Sequence, residues 1–181
     1  MLGKTHILMD ILYTVEEKYL QAIEELHYGE LPKALHLFKE IINTDADYAR
    51  AHYQLGCCYH YQFKDYQTAG YYYKNCNDLD SAFPDVYEHY LKLVITLKMK
   101  KIVHQIASKA LTVPGVCKAN IYESLGLFAE EEQNFVEAKE QYKKAALATA
   151  SQNEHTQIQD HLKRISDKQA ANQQMVYAYQ G

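Results

Sequence analysis

Nine histidines and four cysteines are the residues of this 181-residue chain best equipped to do chemistry. Cys57 and His60 stand three residues apart, on one turn if their segment is helical, and His52 lies further back on the same stretch. A thiolate and imidazoles at that spacing could hold a soft metal ion. They could equally pair as nucleophile and base. Nothing near them supplies an oxyanion hole or a clear third catalytic member, so no catalytic residue is expected. The cysteines Cys57, Cys58, Cys76 and Cys117 match neither paired Cys-x-x-Cys zinc ribbons nor a disulfide scaffold. Neither metal nor cofactor is expected, and a reducing, cytoplasmic setting fits best. The one dense basic cluster, Lys98, Lys100 and Lys101, reads as a solvated turn between helices.

Tyrosine offers a different chemistry, that of recognition. The chain holds 17 Tyr and 5 Phe but no Trp. Tyr combines wide contact area, few rotatable bonds and a polar tip, which suits binding surfaces. Most of these rings are expected to fill space between helices. Gly (7) and Pro (3) are too scarce for a turn-rich β fold, so the rings must be carried mainly by helices. A chain of this length buries ~70% of its unfolded surface and needs no disulfide staples. With 19 Lys and Arg against 23 Asp and Glu, no broad basic surface for nucleic acid is expected. Asp10 breaks the apolar stretch of residues 1–13, which makes a poor signal peptide. No run approaches the ~20 apolar residues of a membrane span, so no membrane partner is expected.

The helices recur. Leu55-Gly56 returns as Leu125-Gly126 70 residues later, two periods of about 35. Downstream of Gly56 come Tyr59, Tyr66, Ala69, Tyr73 and Cys76; downstream of Gly126 come Ala129, Phe135, Ala138, Tyr142 and Ala145. Ala22, Gly29, Leu31, Ala34, Phe38 and Ile41 keep the same phase ahead of them. A weaker copy runs from Pro84 through Tyr87, Leu91, Val103, Ala107 and Ala110. This pattern resembles the tetratricopeptide repeat, a 34-residue helix-turn-helix unit with the signature Trp-x2-Leu-Gly-x2-Tyr, Ala-x3-Phe and a closing Pro. His52 and Tyr122 stand in the Trp position, Ala22 and Leu91 in the Gly position, and the stretch Phe63 to Asp65 holds one extra residue. The resemblance implies an all-α, right-handed superhelical solenoid of antiparallel helix pairs with a C-terminal capping helix. Its repeats fall at about 15–48, 49–83, 84–118 and 119–151, with the capping helix at about 152–173, in one domain over 1–174.

Local signals agree. The apolar positions Ile23, Leu26, Leu31, Ala34, Leu35, Phe38 and Ile41 follow a three-and-four spacing interrupted at Gly29-Glu30, which reads as two amphipathic helices and a tight turn. Pro32 suits a first helical turn. Gly56 and Gly126, inside helical patterns, each cost ~1 kcal/mol relative to Ala, a cost to be recovered by close approach of the paired helix, with Ala69 and Ala138 facing them. Asn134 with Glu137 and Ser151 with Glu154 have capping-box spacing. Ile7, Leu8, Ile11, Leu12, Val15, Tyr19, Ile23 and Leu26 form one stripe, read as a long helix from near Thr5, with a break capped by Thr14 and Glu17 as the alternative. Residues 175–181 form a tail expected to be flexible, frayed or docked onto something.

The resemblance also implies a concave groove lined by the first helix of each pair. The corresponding residues are Tyr19, Ile23 and Leu26; Arg50, Tyr53, Gln54, Cys57, His60 and Tyr61; Asp85, Glu88, His89, Lys92 and Ile95; and Asn120, Glu123, Leu127 and Glu130. Leu55, Tyr59, Ala69 and Tyr73 belong to packing by the same signature, as does His52, which leaves a metal site at Cys57 and His60 two ligands short. Tyr53 and Tyr61 are the rings expected to grip an extended or helical peptide. The Lys, Asn and Arg clamp with which some family members hold a chaperone's C-terminal carboxylate is absent. Asp85, Glu88, Glu123 and Glu130 favour a basic or neutral polar partner instead. The implied function is a non-catalytic adaptor binding a protein or peptide. The alternatives are a structural scaffold or homo-oligomer whose tail fills a neighbour's groove, and a small secretion-type chaperone.

Overall fold

The computed structural model describes the backbone of residues 2–179 and the side chains of residues 14–171. Its helices are α1 (Leu2–Tyr28), α2 (Leu31–Thr44), α3 (Ala49–Cys57), α4 (Tyr66–Leu79), α5 (Asp85–Thr96), α6 (Lys100–Ala110), α7 (Lys118–Glu131), α8 (Phe135–Ala148) and α9 (Gln152–Tyr179), and a π-helical turn, Cys58–Phe63, extends α3. No strand occurs among the described residues. The chain divides into two compact units, Met1–Leu93 and Val94–Gly181, the division falling inside α5.

In the first unit α1 packs on α2, α2 on α3 and α3 on α4. Val15, Tyr19 and Ala22 meet Ala34, Leu37, Phe38 and Ile41, with Ala51 and Leu55 closing the cluster. The α2 residues follow the three-and-four spacing that sets one helix face toward a core. Pro32 sits in the first turn of α2, where its missing N–H leaves nothing unpaired. Asp65 caps α4: its carboxylate accepts the Thr68 N–H at 3.1 Å and the Thr68 hydroxyl at 2.6 Å. α1 is a single helix that runs through Thr14 without a break; the side chains of Ile7 to Leu12 lie outside the described residues.

The turns inside the repeats fix their phase. Lys64, Lys98 and Gln133 all adopt left-handed backbone, with φ of 56°, 54° and 59°. They end the first helix of their pairs in the manner usually left to glycine. Five residues after each comes a fully buried small or medium side chain, Ala69, Val103 or Ala138, matching Ala34 after Gly29. The third copy is thereby placed: Val103, Ala107 and Ala110 stand where Ala69, Tyr73 and Cys76 do. In this copy buried Leu91 stands at the glycine position and buried Ala107 at the tyrosine position.

Two details differ from the sequence expectation. The extra residue of the second copy falls within the turn Cys58–Phe63, which meets the expected stretch Phe63 to Asp65 only at Phe63. Eight residues separate Gly56 from Lys64, against seven from Gly126 to Gln133, and the π turn absorbs the difference. The faces opposite Gly56 and Gly126 are not Ala69 and Ala138. A Cβ at Gly56 would stand 2.5 Å from the Tyr73 ring, and one at Gly126 would stand 2.6 Å from the Tyr142 ring. The signature glycine thus makes room for the aromatic of the second helix.

In the second unit α7 packs on α8 and α8 on α9. Ala129, Ala138, Tyr142 and Ala145 bury Ile158 and Ile165 of α9, with Leu162 alongside. Each such isoleucine contributes about 1.5–3 kcal/mol on burial. α9 therefore covers the last pair, as a capping helix must. Asn134 accepts the Glu137 N–H at 3.2 Å and the Ser151 hydroxyl accepts the Glu154 N–H at 3.4 Å, so both anticipated caps form. The α9 backbone runs to Tyr179, beyond the expected end near 173; the tail side chains lie outside the described residues.

Candidate peptide-binding groove

The first unit gathers Tyr53, Tyr61 and His89 from α3, the π turn that extends it, and α5. α3 holds Tyr53 and the π turn holds Tyr61. The first half of α5 brings His89 against both. The Tyr53 ring meets Phe83 edge-on at 5.3 Å and His89 at 5.6 Å. The Tyr61 ring stands edge-on to His89 at 5.4 Å, and its hydroxyl shares a 2.7 Å hydrogen bond with His89 Nδ1. Beneath it, His60 stacks on Tyr61 at 4.2 Å, and His60 Nδ1 lies 3.3 Å from the Tyr73 hydroxyl. Tyr73 also donates to Cys57 Sγ at 3.6 Å. Tyr61 is 38% exposed, while Tyr53 and His89 are half-buried. The rings are therefore set in place before any partner arrives.

This cluster is neutral near pH 7. Burial pushes the Tyr61 hydroxyl up to about 12 and raises Tyr53 and Tyr73 further. Burial, aided by His89 and nearby lysines, lowers His60 to about 4, and burial lowers His89 as well. The Cys57 thiol is raised by burial, the reverse of what an activated nucleophile needs. His52 points elsewhere: it packs near Tyr72, with Nε2 held by the Ala46 carbonyl at 2.9 Å. Among the described residues no group of three or more His, Cys, Asp or Glu side chains is arranged to hold a metal ion.

Several other groove candidates are already engaged within the chain. Tyr19 and His60 are each only 6% exposed and belong to the interior, a correction to the groove assignment. Tyr19 packs on Phe38 and Tyr48, takes a 3.3 Å hydrogen bond from Gln54 and lies under the Arg50 guanidinium at 4.6 Å. Arg50 in turn pairs with Glu16 at 3.0 Å. Ile23 and Leu26 are half-buried against the first core. Asp85 is exposed, and Glu88 pairs with Lys92 at 2.7 Å one helical turn on.

In the second unit Leu127 is exposed, and Asn120 and Ile95 are half-buried. The acidic side chains there are committed to α9. Glu123 accepts from Gln157 at 3.0 Å and meets His161 at 3.1 Å. Glu130 receives both arms of Arg164 at 2.8 and 2.7 Å, Lys168 at 2.7 Å and the Tyr142 hydroxyl at 2.9 Å. Those bonds, Arg164 foremost, hold its carboxyl near 2. The expected acidic preference of the groove therefore loses Glu123 and Glu130 to intramolecular partners. Phe83 and Arg164 were missed from sequence: Phe83 sits in a loop with no periodic signal, and Arg164 looked like one more charged position on a polar helix.

No family model matches the chain, and no curated protein does. Solved structures do match. PilF of Pseudomonas aeruginosa superposes with a TM-score of 0.74 at 16% identity, over 90% of this chain and 72% of that one. PilW, a widely conserved type IV pilus biogenesis factor, gives 0.68 at 12% identity over 85% and 78%. YrrB, a TPR protein with an unusual peptide-binding site, gives 0.62 at 16% identity over 94% and 98%. At these identities the likeness is one of fold, and the fold is the tetratricopeptide type that the repeat spacing implied.

Proposed function

We propose that this chain, a tetratricopeptide-type helical repeat by fold, is a non-catalytic module that captures a protein or peptide segment on the α3 and α5 surface of its first unit. The observation that carries the reading is the preset Tyr53, Tyr61 and His89 cluster, aromatic, neutral and partly open. Aromatic anchors held rigid by their neighbours bind with little ordering cost. Asp85 is the exposed charge beside them, and the Glu88 and Lys92 pair is balanced, so contact area rather than charge selects the segment. The peptide-binding site of YrrB on a like fold supports the same reading. The four cysteines stand as separate thiols, which supports a reducing, cytoplasmic location. No described helix is long and apolar enough to cross a membrane.

The test is capture from the native host with wild-type chain, Tyr61→Ala and Tyr71→Ala, each checked for unchanged helicity. Tyr71 is 61% exposed on α4 and serves as the off-site control. Loss of one hot-spot ring costs about 2 kcal/mol, roughly a 30-fold loss of affinity. The same proteins should disappear with Tyr61→Ala and persist with Tyr71→Ala. Equal capture by Tyr61→Ala would show that the partner does not lie on this groove. Recovery of only further copies of this chain would favour the homo-oligomeric scaffold.

A further inference from the structure

A cavity of about 210 Å³ opens between α6, α7 and α8 in the second unit. It uses a different face of α7 from the groove candidates, with Phe128 as part of its apolar wall and His104 edge-on to that ring at 6.2 Å. Its polar lining is unbalanced. Gln141 is 9% exposed, and its Nε2 donates to Glu137, which fixes the amide orientation and leaves the buried Oε1 without a partner. Lys100, the cation of the lining, is neutralised by Glu132. Among the acceptors of the lining, the Gln141 oxygen and the Glu137 carboxylate lie one helical turn apart on α8, whereas Asn134 already spends its oxygen on the Glu137 N–H. A buried acceptor without a donor is unfavourable and invites one. The volume is below the ~300 Å³ at which drug-sized ligands begin to fit, and suits a group the size of one side chain.

We propose that this cavity binds an alkylguanidinium cation, whose planar fork donates to Glu137 and Gln141 while its carbon stem lies along the apolar wall by Phe128. A guanidinium presents paired donors in a fixed plane, matching two adjacent acceptors better than the single point charge of an ammonium. An aromatic neighbour adds attraction for the cation. The ligand comes either as a free small molecule or as an arginine side chain of a partner protein.

The test is an NMR titration of the full chain with agmatine, with butylammonium, and with a short neutral peptide holding one internal arginine. Agmatine should shift the Gln141 side-chain amide and the His104 ring protons saturably, and butylammonium should bind at least about tenfold more weakly. Gln141→Leu, which replaces an unpartnered amide with an apolar group of similar size and should keep the fold, should weaken agmatine at least about tenfold, as should Glu137→Gln. Binding of the peptide as tightly as agmatine assigns the site to a partner's arginine; binding of agmatine alone assigns it to a free small molecule. Absence of saturable shifts with both guanidinium probes, equal binding by butylammonium, or unchanged agmatine binding by Gln141→Leu would overturn the proposal and leave the cavity to water.

Discussion

Replacing Gly56 by alanine sets two known effects against each other in one place. In an ordinary helix interior the change gains about 1 kcal/mol. Here the new Cβ would stand 2.5 and 2.6 Å from Tyr73 ring carbons, where ordinary contact begins at 3.4 Å. The ring cannot swing aside, because Tyr73 is fully buried and its hydroxyl is held by Cys57 and lies against His60. Overpacking of this kind costs about 1–3 kcal/mol, and the clash is severe enough to fall in the upper half. The net expectation is a loss of roughly 1–2 kcal/mol. Gly70, inside α4 of the same unit, is the matched control: its added Cβ would meet only Leu93 Cδ2, at 3.6 Å. Gly70→Ala should therefore stabilise by up to about 1 kcal/mol. At about 4–8 °C per kcal/mol for a unit of this size, the two variants should move its melting transition in opposite directions by a readily measured margin. Calorimetry on both, with Gly126→Ala reporting the same collision against Tyr142 in the second unit, is the assay. If Gly56→Ala stabilises as Gly70→Ala does, the close packing of glycine on tyrosine is not what the repeat uses glycine for.

Acid should loosen the two units in sequence. His60 titrates near 4 in the fold, below its ordinary 6.5, so the stability it contributes is complete above about 6.5 and is lost as pH falls through 4. Glu130 titrates near 2, below its ordinary 4.5, so its contribution survives to about 4.5 and is lost toward 2. After allowance for solvent around the half-exposed Arg164 and Lys168, that contribution is roughly 2 kcal/mol. Residue-resolved NMR between pH 7 and 2 should show changes near His60 first, and Glu130→Gln should abolish the later step while leaving the earlier one. Asp65→Ala removes the cap of α4 and should cost about 1 kcal/mol, read as a lower denaturant midpoint with unchanged slope.

The repeat architecture was legible because spacing carries it. Leu55-Gly56 and Leu125-Gly126, with their matched downstream residues, give the helix pairs without knowledge of a single contact. What faces what was harder to read. Ala69 and Ala138 sit at the right height to oppose the glycines, yet the large rings of Tyr73 and Tyr142, one turn further on, occupy that space. A one-residue excess in the second copy was visible, but not that a π turn would absorb it. That wider turn changes the angular phase of everything after it, so His60 faces inward while Tyr61 reaches the surface. Tyr19 failed as a groove residue because Tyr48, Gln54 and Arg50, about one repeat later, close over it. Glu123 and Glu130 look like free surface charge until α9 brings Gln157, His161, Arg164 and Lys168 to them, again about one repeat on. For Tyr19, Glu123 and Glu130 a contact about one repeat further along the chain decided the role, and such contacts leave no mark on the spacing within one repeat.

Site-specific photocrosslinking in the native host shows whether a partner segment lies on the α3 and α5 aromatic cluster. A benzophenone side chain is placed at Tyr61, and separately at Tyr71 as the off-site control. One defined crosslinked partner is expected from position 61, mapped to a short segment of that partner, and none of that product from position 71. The same partner crosslinked from position 71 but not from 61 would contradict that placement.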